Sequence, residues 1–155
     1  MHLRPAIISD QTALFDMHEK LFRDHIEEIW GWDDEWQLAN FQKEWDEVIT
    51  EVIHIEDAIL GYIQIRMEPD HIYVLNLALD TQYQSQGLGS KAMNILKKRA
   101  MNQRLPLRLS VFKTNQRVIT FYERLGFRVD EETDTGCRMC WSVHPNPLPC
   151  SESKF

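Results

Sequence analysis

The chain has 155 residues, of which 43% are hydrophobic, enough to form one domain around a single core. No apolar run approaches the ~20 residues of a membrane-spanning helix, and residues 1–10 lack the basic and apolar segments of a signal peptide, so we expect a cytoplasmic protein with no membrane partner. The net charge of −7 disfavours binding to a phosphate backbone, so no nucleic-acid partner is expected. It would attract a cationic ligand, but an acidic surface is also the ordinary way in which a cytosolic protein stays soluble.

Two amphipathic helices are predicted near the N-terminus, after a short strand over residues 1–4. Ser9 or Asp10 would cap the first helix, whose apolar residues recur at helical spacing: Leu14, Met17 and Leu21. The second helix begins near Asp33 or Asp34, and its apolar residues also follow a helical repeat: Leu38, Phe41, Trp45, Val48 and Ile49. We expect residues 25–32 to form the linker between the two helices.

Strand patterns begin after residue 51. Three strands are predicted as a meander, over residues 52–55, 59–67 and 72–79. Five elements follow the glycine-bearing loop after residue 79: a helix from about 88 to 102, a strand over 107–112, a helix over 115–125 and two strands over 127–130 and 137–143.

This order of elements predicts a mixed α+β domain over residues 1–143, with helices on both faces of one sheet. Residues 144–155 contain three prolines and two serines, so we expect a loosely ordered tail. The domain would act as a monomer or a homodimer.

The three cysteines, Cys137, Cys140 and Cys150, are an odd number in a chain without a secretion signal, which argues against a disulfide framework. Cys137 and Cys140 are three apart on a predicted strand and would point to opposite faces. They could not chelate one ion, so no metal is expected.

The stretch from Leu77 to Ser90 passes from a strand through a loop into a helix and contains the pattern Gln84-x-x-Gly87-x-Gly89. A helix N-terminus offers unpaired N–H groups and the positive end of the helix dipole, and glycines allow the backbone to approach an anion closely. The loop lacks the Lys-Ser/Thr pair of a P-loop and the third glycine of a dinucleotide fingerprint. ATP and NAD are therefore disfavoured as ligands. A diphosphate fits the start of this helix, and the alternative is that the two glycines form only a turn.

A second motif follows one helix and one strand later, Asn115-x6-Tyr122-Glu-Arg-Leu-Gly-Phe127. Asn115 and Tyr122 are seven residues apart on the predicted helix and face the same side. Together with the glycine loop, this motif resembles the GNAT N-acetyltransferase superfamily over most of residues 51–141. The strand around Asn76 is similar to that of the ribosomal-protein N-terminal acetyltransferases.

The resemblance implies an acyltransferase that uses acetyl-CoA as its co-substrate and needs no metal. Its fold would be a GNAT-like, mostly antiparallel sheet with one splayed pair of strands. It would transfer the acetyl group directly to a primary amine, either a small cation or a peptide amine. In the family, the backbone of the strand that matches residues 77–79 pairs with the pantetheine arm, and the loop amides that match 85–90 hold the pyrophosphate. The implied cofactor-binding residues are Leu77, Ala78, Leu79, Gln84, Ser85, Gln86, Gly87, Leu88, Gly89, Ser90, Asn115 and Tyr122.

Asn115 and Tyr122 also receive roles from the resemblance. Asn115 would hydrogen-bond either the pantetheine or the first turn of the helix that Asn115 begins. Tyr122 would give a proton to the departing thiolate. A backbone N–H near Leu77 would face the developing oxyanion. Considered without the resemblance, Asn115 is typical of a helix N-cap and Tyr122 of a core aromatic residue.

The resemblance does not identify the general base. GNAT enzymes often carry a glutamate on one of the two splayed strands, but the matching positions here are Leu75 or Asn76 and Ser110. Ser110 stands where the ribosomal-protein acetyltransferases place their glutamate. Asn76 and Ser110 could order a water that relays the proton, or a carboxylate of the N-terminal helices could reach the cleft: Asp33, Asp34 or Glu35.

The acceptor in GNAT enzymes lies against the first two helices and their linker. In residues 25–36, aromatic rings alternate with carboxylates, a composition suited to an ammonium group. We expect Trp32 and Asp33 to line a pocket for a polyamine, an amino sugar or a peptide amine. The alternative is that the carboxylates are solvated and that three tryptophans belong to the core: Trp30, Trp36 and Trp45.

Two other functions remain open at this stage. A non-catalytic acyl-CoA-binding module would keep the fold while lacking the base. An interaction protein without a ligand would gain no thermal stability from acetyl-CoA.

Overall fold

A computed structural model describes residues 1–143. The chain divides into two compact units. The first unit comprises Met1–Arg66 and Asn76–Ala92, and the second comprises Met67–Leu75 and the residues from Met93 onward. One acetyltransferase domain over residues 1–143 stays a prediction, and the expected tail over 144–155 lies outside the described residues.

Within residues 1–143 the chain forms seven β-strands and four α-helices. The strands are β1 (His2–Pro5), β2 (Ile49–Ile55), β3 (Ala58–Met67), β4 (Ile72–Leu79), β5 (Leu107–Phe112), β6 (Arg128–Glu132) and β7 (Gly136–Trp141). The helices are α1 (Gln11–Trp30), α2 (Asp34–Glu47), α3 (Leu88–Gln103) and α4 (Gln116–Arg124).

The strands follow the order β1-β2-β3-β4-β5-β7-β6 in one sheet. Pairing is antiparallel between β1 and β2, between β2 and β3, between β5 and β7, and between β6 and β7. Pairing between β4 and β5 is parallel, with Ile72–Val74 opposite Leu107–Leu109. The predicted α+β class with a mostly antiparallel sheet is confirmed.

The core of the first unit lies between the first two helices and the sheet. Leu14 and Met17 are three residues apart and lie on one side of α1, where they pack with Phe41 of α2 against the strands. The strand residues of this cluster are Val52, Tyr62 and Ala78. Burial of each large apolar side chain contributes about 1.5–3 kcal/mol relative to exposure, so this cluster fixes both helices on the sheet.

In the second unit, α4 has a defined start and a defined end. The side-chain oxygen of Asn115 accepts a hydrogen bond from the Val118 N–H. At the other end, Gly126 has φ of +93°, and the N–H of Phe127 donates to the carbonyl of Tyr122 at 3.0 Å. This six-to-one hydrogen bond with a left-handed glycine is the Schellman motif, and it turns the chain towards β6.

The first helical pair differs from the sequence prediction. The expected linker over residues 25–32 is wrong, because α1 continues to Trp30 with Ile26 buried. The chain needs only residues 31–33 to reach α2, since Gly31 adopts φ of +82° and ends the helix sharply. Asp10 does not cap α1 with its side chain; its carboxylate accepts from the Ile7 N–H at 2.8 Å and pairs with Arg4.

The second predicted helix also ends earlier than expected. Val48 lies at the C-cap of α2, and Ile49 is the first residue of β2. Both are β-branched residues, which favour an extended backbone.

Cys137 is buried and free, as expected. Cys150 lies outside the described residues, so the expectation against disulfides stays a prediction. In the described part of the chain, no three His, Cys, Asp or Glu residues are grouped to hold a metal ion. Every helix within residues 1–143 is too short or too polar to traverse a bilayer.

Candidate functional site

The loop between β4 and α3 is closed by its own glutamines. It begins with a short 3-10 helix over Thr81–Tyr83. Gln84 Nε2 then donates to the carbonyl of Leu79 at 2.9 Å, and Gln86 Nε2 donates to the carbonyl of Gln82 at 3.0 Å. The side chain of Gln84, which the sequence assigned to the cofactor, therefore ties the loop to the end of β4.

The loop then passes through two left-handed residues. Ser85 has φ of +62° and Gly87 has φ of +79°, and both are exposed with Gln86 between them. This backbone region costs a non-glycine residue about 1–2 kcal/mol. At Gly87 a Cβ atom would have no neighbour within 4 Å, so the backbone dihedral, and not a steric contact within the chain, favours glycine there.

The N-terminus of α3 follows directly. The Lys91 N–H donates to the Gly87 carbonyl at 3.1 Å, which is the first hydrogen bond of the helix. The preceding N–H groups, those of Leu88, Gly89 and Ser90, lie in the turn that has no intrahelical acceptor. These donors, together with the positive end of the helix dipole, fit an anionic group such as a pyrophosphate.

The last residues of β4 are held closely against β3. Ala78 is buried, and its carbonyl oxygen faces Gly61. The Asp80 N–H donates to the Leu60 carbonyl at 2.9 Å. Leu77 and Leu79 are half-buried and alternate with Ala78 along the strand, so they lie on the other face of the sheet.

Asn76 belongs to a line of polar side chains across three strands of the first unit. Its Nδ2 donates to Gln64 Oε1 at 2.7 Å, and Gln64 Nε2 donates to Thr50 Oγ1 at 3.2 Å. Gln64 is completely buried, so both of its amide atoms need these partners. This arrangement fixes the orientation of Asn76 and leaves its Oδ1 as the acceptor for another group.

In the second unit, Ser110 has a partner that the sequence did not suggest. Tyr73 Oη donates to Ser110 Oγ at 3.2 Å, and Ser110 is exposed. Tyr73 lies on β4 within the segment that pairs with β5. The predicted meander placed β4 in the sheet without its neighbour β5, so this contact could not be found from spacing alone.

Tyr122 lies in an aromatic cluster of the second unit. It is 5% exposed, and its ring packs edge-on against Phe121 at 5.0 Å and Phe127 at 5.3 Å. Burial raises the pKa of the Tyr122 hydroxyl, so the proton stays on the oxygen at neutral pH. Asn115 caps α4, the helix that carries Tyr122. The interpretation of Asn115 as a helix N-cap is therefore confirmed.

The acceptor residues expected on the N-terminal helices have local partners. Asp33 Oδ1 accepts from the Trp36 N–H at 2.9 Å and caps α2. Trp32 Nε1 donates to Asp34 at 2.7 Å, and the Arg23 guanidinium lies 5.3 Å from the centre of the Trp32 ring. Trp30 and Trp36 are 65% and 59% exposed, so the interpretation of these two as core residues is wrong, whereas Trp45 packs against the core cluster.

The sequence model of the acetyltransferase (GNAT) family matches residues 12–127, which is more than half of the chain. The chain belongs to the GNAT family. The resemblance inferred from the loop and from the Asn115–Tyr122 motif is therefore confirmed at the level of the family.

Solved structures of GNAT enzymes have the same fold. PaiA N-acetyltransferase from Thermoplasma acidophilum, in complex with coenzyme A, has a TM-score of 0.75 at 15% identity over 92% of this chain and 98% of its own. The ribosomal-protein-S18-alanine N-acetyltransferase from Escherichia coli has a TM-score of 0.72 at 18% identity over 94% and 95%. An acetyltransferase from Thermus thermophilus has a TM-score of 0.72 at 18% identity over 92% and 98%.

No curated protein matches the chain at a significant level. Membership in the GNAT family makes the chain an acyltransferase of the class that uses acetyl-CoA. The identities of 15–18% to these structures establish the fold and not the acceptor.

Proposed function

We propose that this GNAT protein transfers the acetyl group of acetyl-CoA directly to a primary amine. The observation that carries the proposal is the backbone of the loop before α3, where two left-handed residues precede a turn of N–H groups. Such a backbone binds phosphate groups without help from side chains. Acetyl-CoA would supply the acetyl group as an activated thioester.

The donor site consists of the segments that the family uses. The amides of residues 85–90 bind the pyrophosphate, with Gln84 holding the loop closed. The backbone of residues 77–79 pairs with the pantetheine arm. Asn115 is the N-cap of α4, about two helical turns before Tyr122, and it hydrogen-bonds the pantetheine.

Tyr122 acts as the acid for the departing thiolate. Its buried hydroxyl remains protonated at neutral pH because burial raises the pKa. The two rings that pack edge-on against Tyr122 hold its position without using the hydroxyl. A positioned proton donor of this kind contributes about 10²–10⁴-fold to a rate.

An ordered water takes up the proton of the amine, and Asn76 and Ser110 are the two candidate residues to orient that water. Support for this role comes from the fixed orientation of each side chain, Asn76 by Gln64 and Ser110 by Tyr73. Neither side chain is a base, so each can only orient the water, and the proton must pass on to a carboxylate or to solvent.

The acceptor is a cationic amine that binds near the first two helices, with Trp32 and Asp33 in contact with it. The similarity to an enzyme named for ribosomal protein S18 alanine makes a peptide with a free N-terminal alanine one acceptor to test. A polyamine and an amino sugar are the other two.

A thiol-release assay with acetyl-CoA and these three amines tests the proposal. Turnover with at least one of them is expected. Tight binding of acetyl-CoA without turnover on any amine would instead support the alternative function, a non-catalytic acyl-CoA-binding module.

A further inference from the structure

The two faces of the sheet in the second unit differ in burial. One face carries the buried residues of β5 and β7: Leu107, Leu109, Val111, Cys137 and Met139. Trp141 belongs to the same face, because it is in register with Leu107, and Lys97 of α3 lies over its ring, with Nζ 5.2 Å from the ring centre. On the opposite face, Arg108 is half-buried, and Ser110 and Arg138 are exposed. We call this opposite face, defined by Arg108, Ser110 and Arg138, the arginine face.

The strand register brings a third arginine to the arginine face. Arg108 of β5 and Arg128 of β6 are both paired with Cys140 of β7, so the two arginines lie in one row across three strands. Arg138 is directly opposite Ser110 in the neighbouring row. The Cβ atoms of directly opposite residues are about 4.5–5.5 Å apart, and alternate residues of one strand are about 6.5 Å apart. Arg108 and Arg138 therefore extend from points next to Ser110.

The charge on the arginine face is positive. Glu131 is in register with Arg138 and pairs with it at 3.0 Å, and both side chains are more than half exposed. Such a pair is weak because water and salt screen it, and it engages one nitrogen of a guanidinium that has five N–H donors. Glu132 is in register with Cys137 and belongs to the other face. Even when Asp130 is counted, which lies at the register shift of β6, the three arginines outnumber the two carboxylates.

Ser110 offers a hydrogen-bond donor between these arginines. Its Oγ accepts from Tyr73 Oη at 3.2 Å, so the O–H of Ser110 is able to donate to a further group. The proposed function places the water that takes up the proton of the acceptor amine beside this hydroxyl. A ligand that reaches both this water and the guanidinium groups must carry an amine and an anionic group.

The spacing of the arginines favours a peptide as this ligand. Neighbouring strands lie about 4.8 Å apart, so Arg108 and Arg128 start about 9.6 Å from each other, on the two sides of β7. An extended chain advances about 3.3 Å per residue, so about three residues cover this distance. A guanidinium binds a carboxylate through two parallel N–H donors. A peptide with two acidic residues near its amine therefore engages arginines on both sides of β7.

We propose that the arginine face binds the acidic residues of a peptide acceptor whose N-terminal amine the protein acetylates. The proposal rests on the proposed function and specifies its acceptor, a peptide with Asp or Glu soon after the first residue. A polyamine has no carboxylate, and the three guanidinium groups repel its charge. The sequence analysis did not find this face, because only the register of β5, β6 and β7 brings Arg108, Arg128 and Arg138 together.

Two peptides with C-terminal amides test the proposal by steady-state kinetics: Ala-Glu-Asp-Phe and its neutral isostere Ala-Gln-Asn-Phe. We expect the wild-type kcat/KM to be about 20-fold higher for the acidic peptide, from two contacts between a carboxylate and a guanidinium. Arg138→Gln should lower kcat/KM about 5-fold for the acidic peptide and leave the value for the neutral peptide unchanged. Arg104→Gln removes an equal charge from an exposed residue after α3, and should change either value less than about 2-fold.

Glu131→Gln should act in the opposite direction. The variant removes the carboxylate that competes for Arg138, so kcat/KM for the acidic peptide should rise about 2-fold. An ion pair with only a structural role would give no such rise. An unchanged or lower kcat/KM for the acidic peptide would contradict the site.

Direct binding separates this site from the activity. The probe is the acidic peptide with an acetylated amine and a fluorescent label at its C-terminus, and fluorescence anisotropy measures its affinity. We expect Arg138→Gln to bind the probe about 5-fold more weakly than the wild type and Arg104→Gln, and binding to the wild type to weaken as the salt concentration rises. If this pattern is found, absence of turnover with every amine would count against the proposed function alone.

Three results of the binding measurement would each overturn the site. They are equal affinities of the wild type and Arg138→Gln for the probe, an equal loss in Arg104→Gln, and no binding to the wild type. A labelled single-stranded RNA is the competing ligand for a face rich in arginine. Binding of this RNA that is lost in Arg138→Gln, with no preference of the wild type for the acidic peptide, would assign the face to nucleic acid and also overturn the proposal.

Discussion

The carbonyl oxygen of Ala78 lies where the side chain of residue 61 would be. A Cβ atom added to Gly61 would approach this oxygen to 2.0 Å, and the adjacent atoms are also backbone. Because backbone atoms cannot rotate away as a side chain can, β3 and β4 meet at this distance only with glycine at position 61. The position of residues 77–79, which we propose pair with pantetheine, depends on this contact.

Gly61→Ala should therefore destabilise the protein. We expect a loss of about 1–3 kcal/mol in the free energy of unfolding, from the shift of two strands that the new methyl group forces. Urea denaturation followed by circular dichroism measures the loss. An unchanged midpoint would mean that β3 and β4 are not held at this separation.

Gly87→Ala separates backbone strain from ligand binding, with Gly31→Ala as the matched control. Both glycines have positive φ, +79° and +82°, and at both a Cβ atom would meet no atom within 4 Å. Each variant should lose about 1–2 kcal/mol of stability from the left-handed backbone. Only Gly87→Ala should also weaken acetyl-CoA binding, by about 10-fold or more, because its methyl group would stand where the pyrophosphate approaches. Equal acetyl-CoA affinities of the two variants would place the pyrophosphate elsewhere.

Tyr122→Phe tests the proton donor. The variant keeps the ring that packs against Phe121 and Phe127, so we expect its melting temperature to remain close to that of the wild type. Its kcat should fall about 100-fold with an unchanged KM for acetyl-CoA. Tyr83→Phe, which removes a hydroxyl from a half-buried residue without an assigned role, is the control and should keep its kcat. A Tyr122→Phe enzyme as fast as the control would exclude Tyr122 as the acid.

His18 should make stability sensitive to mild acid. Its ring lies among Phe22, Trp32 and Phe41, and burial lowers its pKa more than the hydrogen bond with the Gln37 side chain raises it. The unfolded chain then binds a proton more readily than the folded protein, so stability declines as pH falls below about 6.5. Melting temperatures between pH 7.5 and 5 should fall less steeply for His18→Gln than for the wild type. Parallel curves would show that His18 does not contribute.

The sequence predicted the elements of the sheet well, because their residues carry local information. β4 and β5 were predicted with their exact bounds, since each is a run of apolar and β-branched residues between turn residues. The end of α4 at Gly126 followed from the need for a left-handed residue there. The extent of α1 was not predicted, because the charged residues between Phe22 and Trp30 obscure the apolar stripe that Ile26 and Ile29 continue.

The candidate site could be predicted only in part. The loop over residues 84–90 was found because a backbone site needs glycines and a helix start, both of which are visible in the sequence. Tyr73 and Gln64, the partners of Ser110 and Asn76, were missed because their contacts cross strands at a register that only the folded sheet defines.

A titration of ¹⁵N-labelled protein with acetyl-CoA, followed by two-dimensional amide NMR, tests the central claim most directly. If the pyrophosphate binds as proposed, the amide resonances of Ser85, Gln86, Gly87, Leu88, Gly89 and Ser90 should shift most and saturate together. Saturable shifts confined to other parts of the chain, or no shifts at millimolar acetyl-CoA, would contradict the account.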